Sequence, residues 1–269
     1  MPTATDLTDA LRPLVEAPER SAIFCDVDGT LAPIVEQAEY ARVSERTARV
    51  LGELGRRYAV VACISGRSAP EARRLVGVGT LDYAGFHGAE LLRAGARRLE
   101  RLPELEEGAD RVRRFATEHH GSDLRLMRVR LEDKGPISAF HWRGAPDEAA
   151  AEKRIEQLAR AAKAEGLATH WGRKVLEVRP PIAIDKGQAV RRLLERRDVS
   201  AALFAGDDRT DLDGFAALES LREKGELESI VRVGVASEDG PPEIVERADV
   251  YVDGVGGVAE VLAALAEPR

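Results

Sequence analysis

Three apolar runs in this chain each stop at a residue that can do chemistry. Ile23, Phe24 and Cys25 lead into Asp26, residues 60–64 lead into Ser65, and residues 201–205 lead into Gly206 and Asp207. An open parallel sheet builds its functional site from the loops at the carboxyl ends of its strands, so these three strands deliver acidic or hydroxyl side chains to one rim. Around them strand and helix patterns alternate. A helix is expected from the Ser44 cap through Arg57 and another after Pro70. From Lys186 onward the expected order is a helix through Arg197, a helix from Thr210, a strand at 230–235, a short helix after Pro241, a strand at 250–252 and a final helix. Such alternation reads as an α/β protein with a doubly wound, Rossmann-like parallel sheet.

The middle of the chain follows another rhythm. A helix is expected over Pro103–His119, two strands over 124–131 and 137–142, a long Ala- and Glu-rich helix over 146–166, and two more strands over 167–171 and 175–178. Helix, hairpin, helix, hairpin suggests an inserted α+β domain with a mostly antiparallel sheet. The expected division is a core of residues 1–101 and 181–269 around an insert of residues 102–180.

Composition removes several function classes. The 269 residues are 44% hydrophobic and 4% aromatic, as in soluble globular proteins. Forty Lys and Arg against 47 Asp and Glu give a formal charge of −7, which argues against nucleic acid or an anionic membrane as partner. No apolar run is long enough to span a membrane and the first residues lack a signal-peptide core, so a cytoplasmic location is expected. The working expectation for assembly is a monomer. Cys25 and Cys63 both lie inside strand candidates and read as small core residues rather than a disulfide or a zinc site. There is no HExxH, no P-loop and no GxSxG elbow, leaving metalloprotease, nucleotide kinase and serine hydrolase readings without support.

What remains is a set of four motifs: DVDGTLAPI from Asp26, SGR from Ser65, DKG from Asp185 and GDDRTDLD from Gly206. Phosphate monoesters hydrolyse very slowly in water, so a catalyst must provide a nucleophile, a proton for the leaving alcohol and positive charge for the phosphoryl group. Carboxylates, a hydroxyl and a lysine in these motifs supply such groups. By themselves Asp207, Asp208, Asp211 and Asp213 also fit an ordinary acidic helix N-terminus; it is the company of DVDGT that points them to a site.

In this order the motifs resemble those of the haloacid dehalogenase-like phosphatases, and the longer segments GFHGAEL, EDKG and GRKVLEVRP are similar to those of trehalose-6-phosphate phosphatases. The resemblance runs from Ala22 to the last helix. It implies that Asp26 is a nucleophile toward phosphorus, that Asp28 is acid and then base, and that Mg2+ is held by Asp26, the backbone carbonyl of Asp28 and Asp207. Asp208 and Asp211 then orient waters and Lys186. Ser65 and the Gly66 amide become phosphoryl-oxygen donors, Arg67 beside them is a substrate-binding residue, and Lys186 offsets charge on the phosphate and the nucleophile. In the insert, Glu132, Lys134, Arg143, Arg173, Lys174 and Glu177 match segments that bind glucose hydroxyls, with the choice between Arg173 and Lys174 open. His87 is either a substrate contact or a hydrogen-bonded structural histidine. The implied partner is a small sugar phosphate, with two competing readings: a phosphatase for sucrose phosphate or a glycosyl-phosphoglycerate, and a non-catalytic sugar-phosphate sensor. The sensor would be expected to have lost one of Asp26, Asp28, Lys186 and Asp207, and all four are present.

Overall fold

The computed structural model describes residues 4–35, 40–172, 174–182, 184–237 and 240–267. The chain divides into two compact units, Met1–Glu100 with Ile184–Arg269, and Arg101–Ala183. In chain order, the first unit opens with α1 (Ala4–Glu16), β1 (Ser21–Cys25), α2 (Glu45–Arg57), β2 (Val60–Ile64), α3 (Ala69–Val76), β3 (Asp82–Gly85), β4 (Glu90–Leu92) and β5 (Glu100–Arg101). The second unit contributes α4 (Pro103–His119), α5 (Ser122–Leu126), β6 (Arg130–Asp133), β7 (Ser138–His141), α6 (Glu148–Ala164), β8 (Ala168–Gly172) and β9 (Val175–Arg179). The first unit resumes with α7 (Lys186–Leu194), β10 (Ala201–Gly206), α8 (Asp211–Glu223), β11 (Ser229–Ala236), α9 (Pro242–Arg247), β12 (Val250–Asp253) and α10 (Gly254–Ala266).

In the first unit the strands form one sheet in the order β12-β11-β10-β1-β2-β3-β4-β5. All pairs from β12 to β3 are parallel, and β4 turns back antiparallel on β3. β1 lies between β2, which follows it in sequence, and β10, which comes from the far side of the second unit, so the strand order reverses there. That reversal is where an open α/β sheet leaves a crevice for ligands. Both faces of the sheet are covered, which is why β1, β2 and β10 are unbroken apolar runs. Ile23, Cys25, Val61, Cys63, Leu203 and Ala205 pack with α1, α2, α3 and α10 on one face. Ala22, Phe24, Ala62, Ile64 and Phe204 pack with α7 and α8 on the other. Helix starts are set by side chains: Ser44 Oγ accepts from the Thr47 amide, Ser68 and Glu71 form a capping box, and Asp185 Oδ1 accepts from the Gln188 amide at 2.7 Å.

The second unit holds a four-stranded antiparallel sheet in the order β6-β7-β9-β8. Phe140, Leu176 and Val178 point to one face and pack with Val112 and Phe115 of α4 and Ile155 and Leu158 of α6. The alternate residues face the other way.

Three expectations are corrected. The stretch 124–131 is not a strand: α5 occupies its first part and the strand runs from Arg130 to Asp133. Leu124 and Leu126 look like alternate residues on one strand face, but in a helical turn positions two apart point in nearly opposite directions, and Leu124 is 0% exposed while Leu126 is 82% exposed. α7 ends at Leu194 rather than Arg197, because the chain leaves helical geometry at Glu195 and enters the left-handed region at Arg196. α1 and the edge strands β4 and β5 add to the alternation read from the sequence. Among the described residues no helix is long and apolar enough to cross a membrane.

α8 seats against β10 through Gly214, where an added Cβ would lie 2.4 Å from the Phe204 ring, itself packed edge-on against Phe215. Gly214→Ala is therefore expected to lower stability, since overpacking costs about 1–3 kcal/mol against about 1 kcal/mol of helix propensity gained. A urea midpoint equal to or above the parent's would mean that the ring has room to move.

Candidate active site

The rim at the carboxyl ends of β2, β1 and β10 collects Ser65, Asp26 and Asp207 from three adjacent strands. Asp26 follows β1, and its amide donates to Ala205 O at 2.9 Å. It is 4% exposed, and its Oδ1 accepts from Lys186 Nζ at 2.6 Å. Lys186, 2% exposed at the first turn of α7, also donates to Asp211 Oδ1 at 2.7 Å and lies 3.8 Å from Asp208 Oδ1. Asp211 is 0% exposed, and its second oxygen accepts from the Asp207 and Asp208 amides, both at 3.0 Å. Asp211 thus fixes the loop after β10 and the position of Lys186 together. Thr30 Oγ1 donates to Asp207 Oδ1 at 2.9 Å. Two glycines leave room for these carboxylates: a Cβ on Gly29, whose φ is +96°, would fall 2.2 Å from Asp207 Oδ2 on the neighbouring loop, and one on Gly206 2.2 Å from Asp211 Cγ five residues on.

Burial and crowding shape the charges. Burial raises the Asp26 carboxyl, Lys186 draws it back and Asp207 pushes it up again, leaving it at about 7. Burial and Asp211 take Asp207 to about 6. Burial opposes the charge on Lys186, but Asp211, Asp26 and Asp208 outweigh it and hold the ammonium well above its usual range. Asp26, Asp207 and Asp211 bring carboxylate oxygens within 4.8 Å of one another. Asp211 has both oxygens engaged by N–H donors, so Asp26 and Asp207 are the members with oxygens to offer. Hard oxygen donors with more negative charge than Lys186 can balance fit a divalent cation.

On the other side of β1, Ser65 is 0% exposed and its Oγ accepts from the Arg67 amide at 3.1 Å. Arg67 then reaches across to Asp28 with two bonds, Nε to Oδ2 at 2.7 Å and Nη2 to Oδ1 at 2.6 Å. Phe86 and His87 are both left-handed, with φ of 47° and 58°. Their amides donate to Arg67 O at 2.8 Å and Ser65 O at 2.9 Å, and the His87 ring lies against Gly66, 3.0 Å from where a Cβ would stand. Cys25 and Cys63 are partners across β1 and β2 and are fully buried; burial lifts the Cys25 thiol to about 12 and raises that of Cys63 as well.

The second unit has its own polar cluster on the sheet face away from its helices. Glu132, Ala139, Glu177 and His170 are register partners in one row across β6, β7, β9 and β8. Glu177 Oε1 accepts from Lys134 Nζ at 3.1 Å, and its other oxygen accepts from Arg179. Burial raises the Glu177 carboxyl, but Arg179 and Lys134 bring it down to about 2. Glu132 Oε2 pairs with His141 Nε2 at 2.8 Å. Lys174 and Arg143 do not join this row. Lys174, at the left-handed turn between β8 and β9, bonds Glu148 Oε2 at 2.5 Å, and Arg143 lies in the turn after β7, where it also acts on Glu148. Arg173 lies outside the described residues. Sequence reasoning passed over Thr30, His141 and Arg179. Arg179 had a signal: it stands two residues from Glu177 on one strand and so shares its face.

Comparison with known proteins bears on this geometry. A family model described as trehalose-phosphatase matches residues 24–242. This chain belongs to the trehalose-phosphatase family. It is 33% identical over 230 residues to the trehalose-phosphate phosphatase of Mycobacterium marinum, covering 80% of this chain and 56% of that one. It is 30% identical over 221 residues to trehalose-phosphate phosphatase B of Arabidopsis thaliana, covering 76% and 57%. A Mycobacterium tuberculosis protein described as an uncharacterized glycosyl hydrolase is 33% identical over 231 residues, which are 81% of this chain and 17% of that protein. The chain therefore spans just over half the length of the two phosphatases, and less than a fifth of the third relative. In fold, it is similar to the C-terminal domain of Candida albicans trehalose-6-phosphate phosphatase, with a TM-score of 0.74 at 23% identity over 96% of both chains. A haloacid dehalogenase-like hydrolase from Bacteroides thetaiotaomicron aligns with a TM-score of 0.59 at 16% identity, covering 90% of this chain and 98% of that one. The trehalose-phosphatase core thus has the haloacid dehalogenase-like fold.

The raised carboxyls set a pH dependence for the cation-free protein. Asp26 and Asp207 bind protons more tightly folded, near 7 and 6, than unfolded, at about 3.9. Their protonated forms therefore favour the fold below about pH 4, and this contribution is lost as pH rises through their folded values. In chelator, stability should fall between about pH 4 and 7, and Asp207→Asn should flatten that fall. Denaturant midpoints at the two ends check this. Identical slopes in the parent and Asp207→Asn would remove Asp207 from the account.

Proposed function

We propose that this chain hydrolyses trehalose 6-phosphate to trehalose and inorganic phosphate through a phosphoryl group carried on Asp26. The observation that carries the reading is the nearly buried Asp26 carboxylate with one oxygen on Lys186 and the other side facing the Asp207 cluster, at the strand-order reversal. The Asp26 oxygen not held by Lys186 attacks phosphorus while the bond to the sugar oxygen breaks, and Asp28 gives that oxygen its proton. Asp28, protonated at the start, then takes a proton back from water, which attacks phosphorus and breaks the bond to Asp26, releasing phosphate and restoring the Asp26 carboxylate and the Asp28 carboxylic acid. Ser65 Oγ and the Gly66 amide donate to phosphoryl oxygens, and Lys186 lowers the cost of the charge shared by Asp26 and the phosphoryl group. Mg2+, held by Asp26, the Asp28 carbonyl and Asp207, supplies further neutralisation of phosphoryl oxygens when bound. Asp208 and Asp211 act through their neighbours, Asp211 by holding Lys186 and the Asp207 loop. His87 shapes the Gly66 loop against which the phosphate rests.

Residues 101–183 serve as the sugar-reading domain in this proposal. Glu132, Lys134 and Glu177 offer the mixed acceptors and donors that a sugar's hydroxyls need, and their fixed pairing supports that reading. Lys174, tied up at Glu148, and Arg143, in the turn after β7, have a lesser part.

The test is phosphate release from trehalose 6-phosphate with and without Mg2+. Asp26→Asn should lose turnover by roughly 10³-fold or more in a folded protein, because the amide is nearly isosteric but a poor nucleophile. Substantial retained activity would rule out Asp26 as nucleophile.

Alanine at Glu132, Lys134 or Glu177 should each lower activity on trehalose 6-phosphate by roughly ten- to a thousandfold, the range expected for a lost charged hydrogen bond that aligns substrate. Activity on p-nitrophenyl phosphate, which has no sugar to hold, should change little. Parallel losses on both substrates would return these residues to a structural role.

A further inference from the structure

Resting on the reaction proposed above, we infer that Arg67 is the positioning residue for Asp28: its guanidinium fork sets where the Asp28 carboxylate meets the leaving oxygen and the attacking water. Asp28 has no support from its own strand, since β1 ends at Cys25 and Asp28 lies in the turn where Gly29 N donates to Ala32 O at 2.8 Å. An aspartate in such a turn has free rotation about its side-chain bonds unless something holds it. Arg67 holds both of its oxygens, at 2.7 and 2.6 Å, in the parallel two-bond geometry that fixes a carboxylate's plane as well as its position.

The fork is itself anchored. The Arg67 amide donates to Ser65 Oγ at 3.1 Å, and its carbonyl accepts from the Phe86 amide at 2.8 Å. That amide belongs to the left-handed pair Phe86 and His87, and the His87 amide is bonded to Ser65 O at 2.9 Å. The loop after β2 is thus braced by the loop after β3, and the Arg67 side chain carries that brace to Asp28. Two bonds use one lone pair on each carboxylate oxygen and leave the outer pair of each to carry the proton for the sugar oxygen or to accept one from water. A lysine at this position keeps the charge but presents no fork. Backbone strain of this kind gathers at functional sites, where the surrounding structure imposes it; here it serves to hold a side chain that never touches phosphorus.

A residue acting through Asp28 has a distinct kinetic signature. Its loss matters when the leaving group needs Asp28 and matters much less when it does not, and once Asp28 is disabled its loss costs nothing more. The experiment is a double-mutant cycle of Arg67→Ala, Asp28→Asn and the pair, with Arg67→Lys alongside, measured as kcat and KM on trehalose 6-phosphate and on p-nitrophenyl phosphate. On the sugar phosphate Arg67→Ala should lower kcat by roughly ten- to a hundredfold, with an aryl-phosphate loss several-fold smaller. Arg67→Lys should recover only part of the loss, and the double variant should match Asp28→Asn within about twofold. Multiplying effects in the double variant would overturn the proposal. So would a raised KM for both substrates at unchanged kcat, which would make Arg67 a phosphate ligand, or full activity in Arg67→Lys, which would make charge alone sufficient. If Arg67→Ala does not fold, Arg67→Lys carries the same cycle. A parent protein that leaves trehalose 6-phosphate untouched but releases phosphate from another sugar phosphate would sink the substrate reading alone, and the cycle would be read on that ester.

Discussion

Lys186 is the ammonium on which the first unit's rim depends. It is almost wholly buried, donating to Asp26 and Asp211 and lying near Asp208, and no buried charge of this kind survives without partners. Its position is set by elements distant in sequence: Asp26 ends the run of β1, Asp211 begins α8, and Lys186 begins α7 behind its Asp185 cap. The pairing therefore holds two helix starts and a strand end in one arrangement. Truncating Lys186 would leave two carboxylates buried and uncompensated, while truncating Asp211 would also strand the Asp207 and Asp208 amides. The acidic cluster around Lys186 is thus also a structural tie across β1 and β10.

Close approach is the second constraint. Gly29 and Gly206 stand where any side chain would collide with Asp207 or Asp211, and Gly187 where a Cβ would fall 2.6 Å from Asp213 O. At Gly29 the loop after β1 packs on the Asp207 carboxylate, at Gly206 the end of β10 packs on Asp211, and at Gly187 α7 packs on the backbone of α8. The result is a dense array of acceptors on one side of β1 and a lattice of N–H donors around Ser65 on the other. An anion that must be attacked by one carboxylate and held by donors suits the seam between them.

How much of this was legible in the sequence follows from what each signal encodes. β1, β2 and β10 are buried on both faces, so their runs are apolar throughout and end abruptly at the rim; such strands and the residues just past them can be read directly. Leu124 and Leu126 failed because leucines two apart share a strand face, whereas the chain forms a helical turn there that buries Leu124 and leaves Leu126 in solvent, which the spacing does not show. β4 and β5 are too short to show any period. The fork from Arg67 to Asp28 joins residues 39 apart, and no local pattern announces a long side chain reaching across two loops. The bond from His141 diagonally to Glu132 was hidden in the same way, since register across β6 and β7 is set by the hairpin and not by either strand alone.

The two polar clusters differ in charge balance, and under the proposed function the difference suits phosphate at one and sugar hydroxyls at the other. At the first unit's rim Asp26, Asp207, Asp208 and Asp211 share Lys186, so two carboxyls are driven up toward neutrality and the site calls for a cation. In the second unit Glu177 is clasped by both Arg179 and Lys134 and stays ionised to about pH 2, while Glu132 has His141. Such a row gains nothing from a further ion, yet each carboxylate retains lone pairs for a hydroxyl. A phosphate needs local positive charge, which a cation among surplus carboxylates provides. A glucose ring is neutral and is better met by groups whose charges are already paired, because no net charge is then left to bury when the hydroxyls replace water.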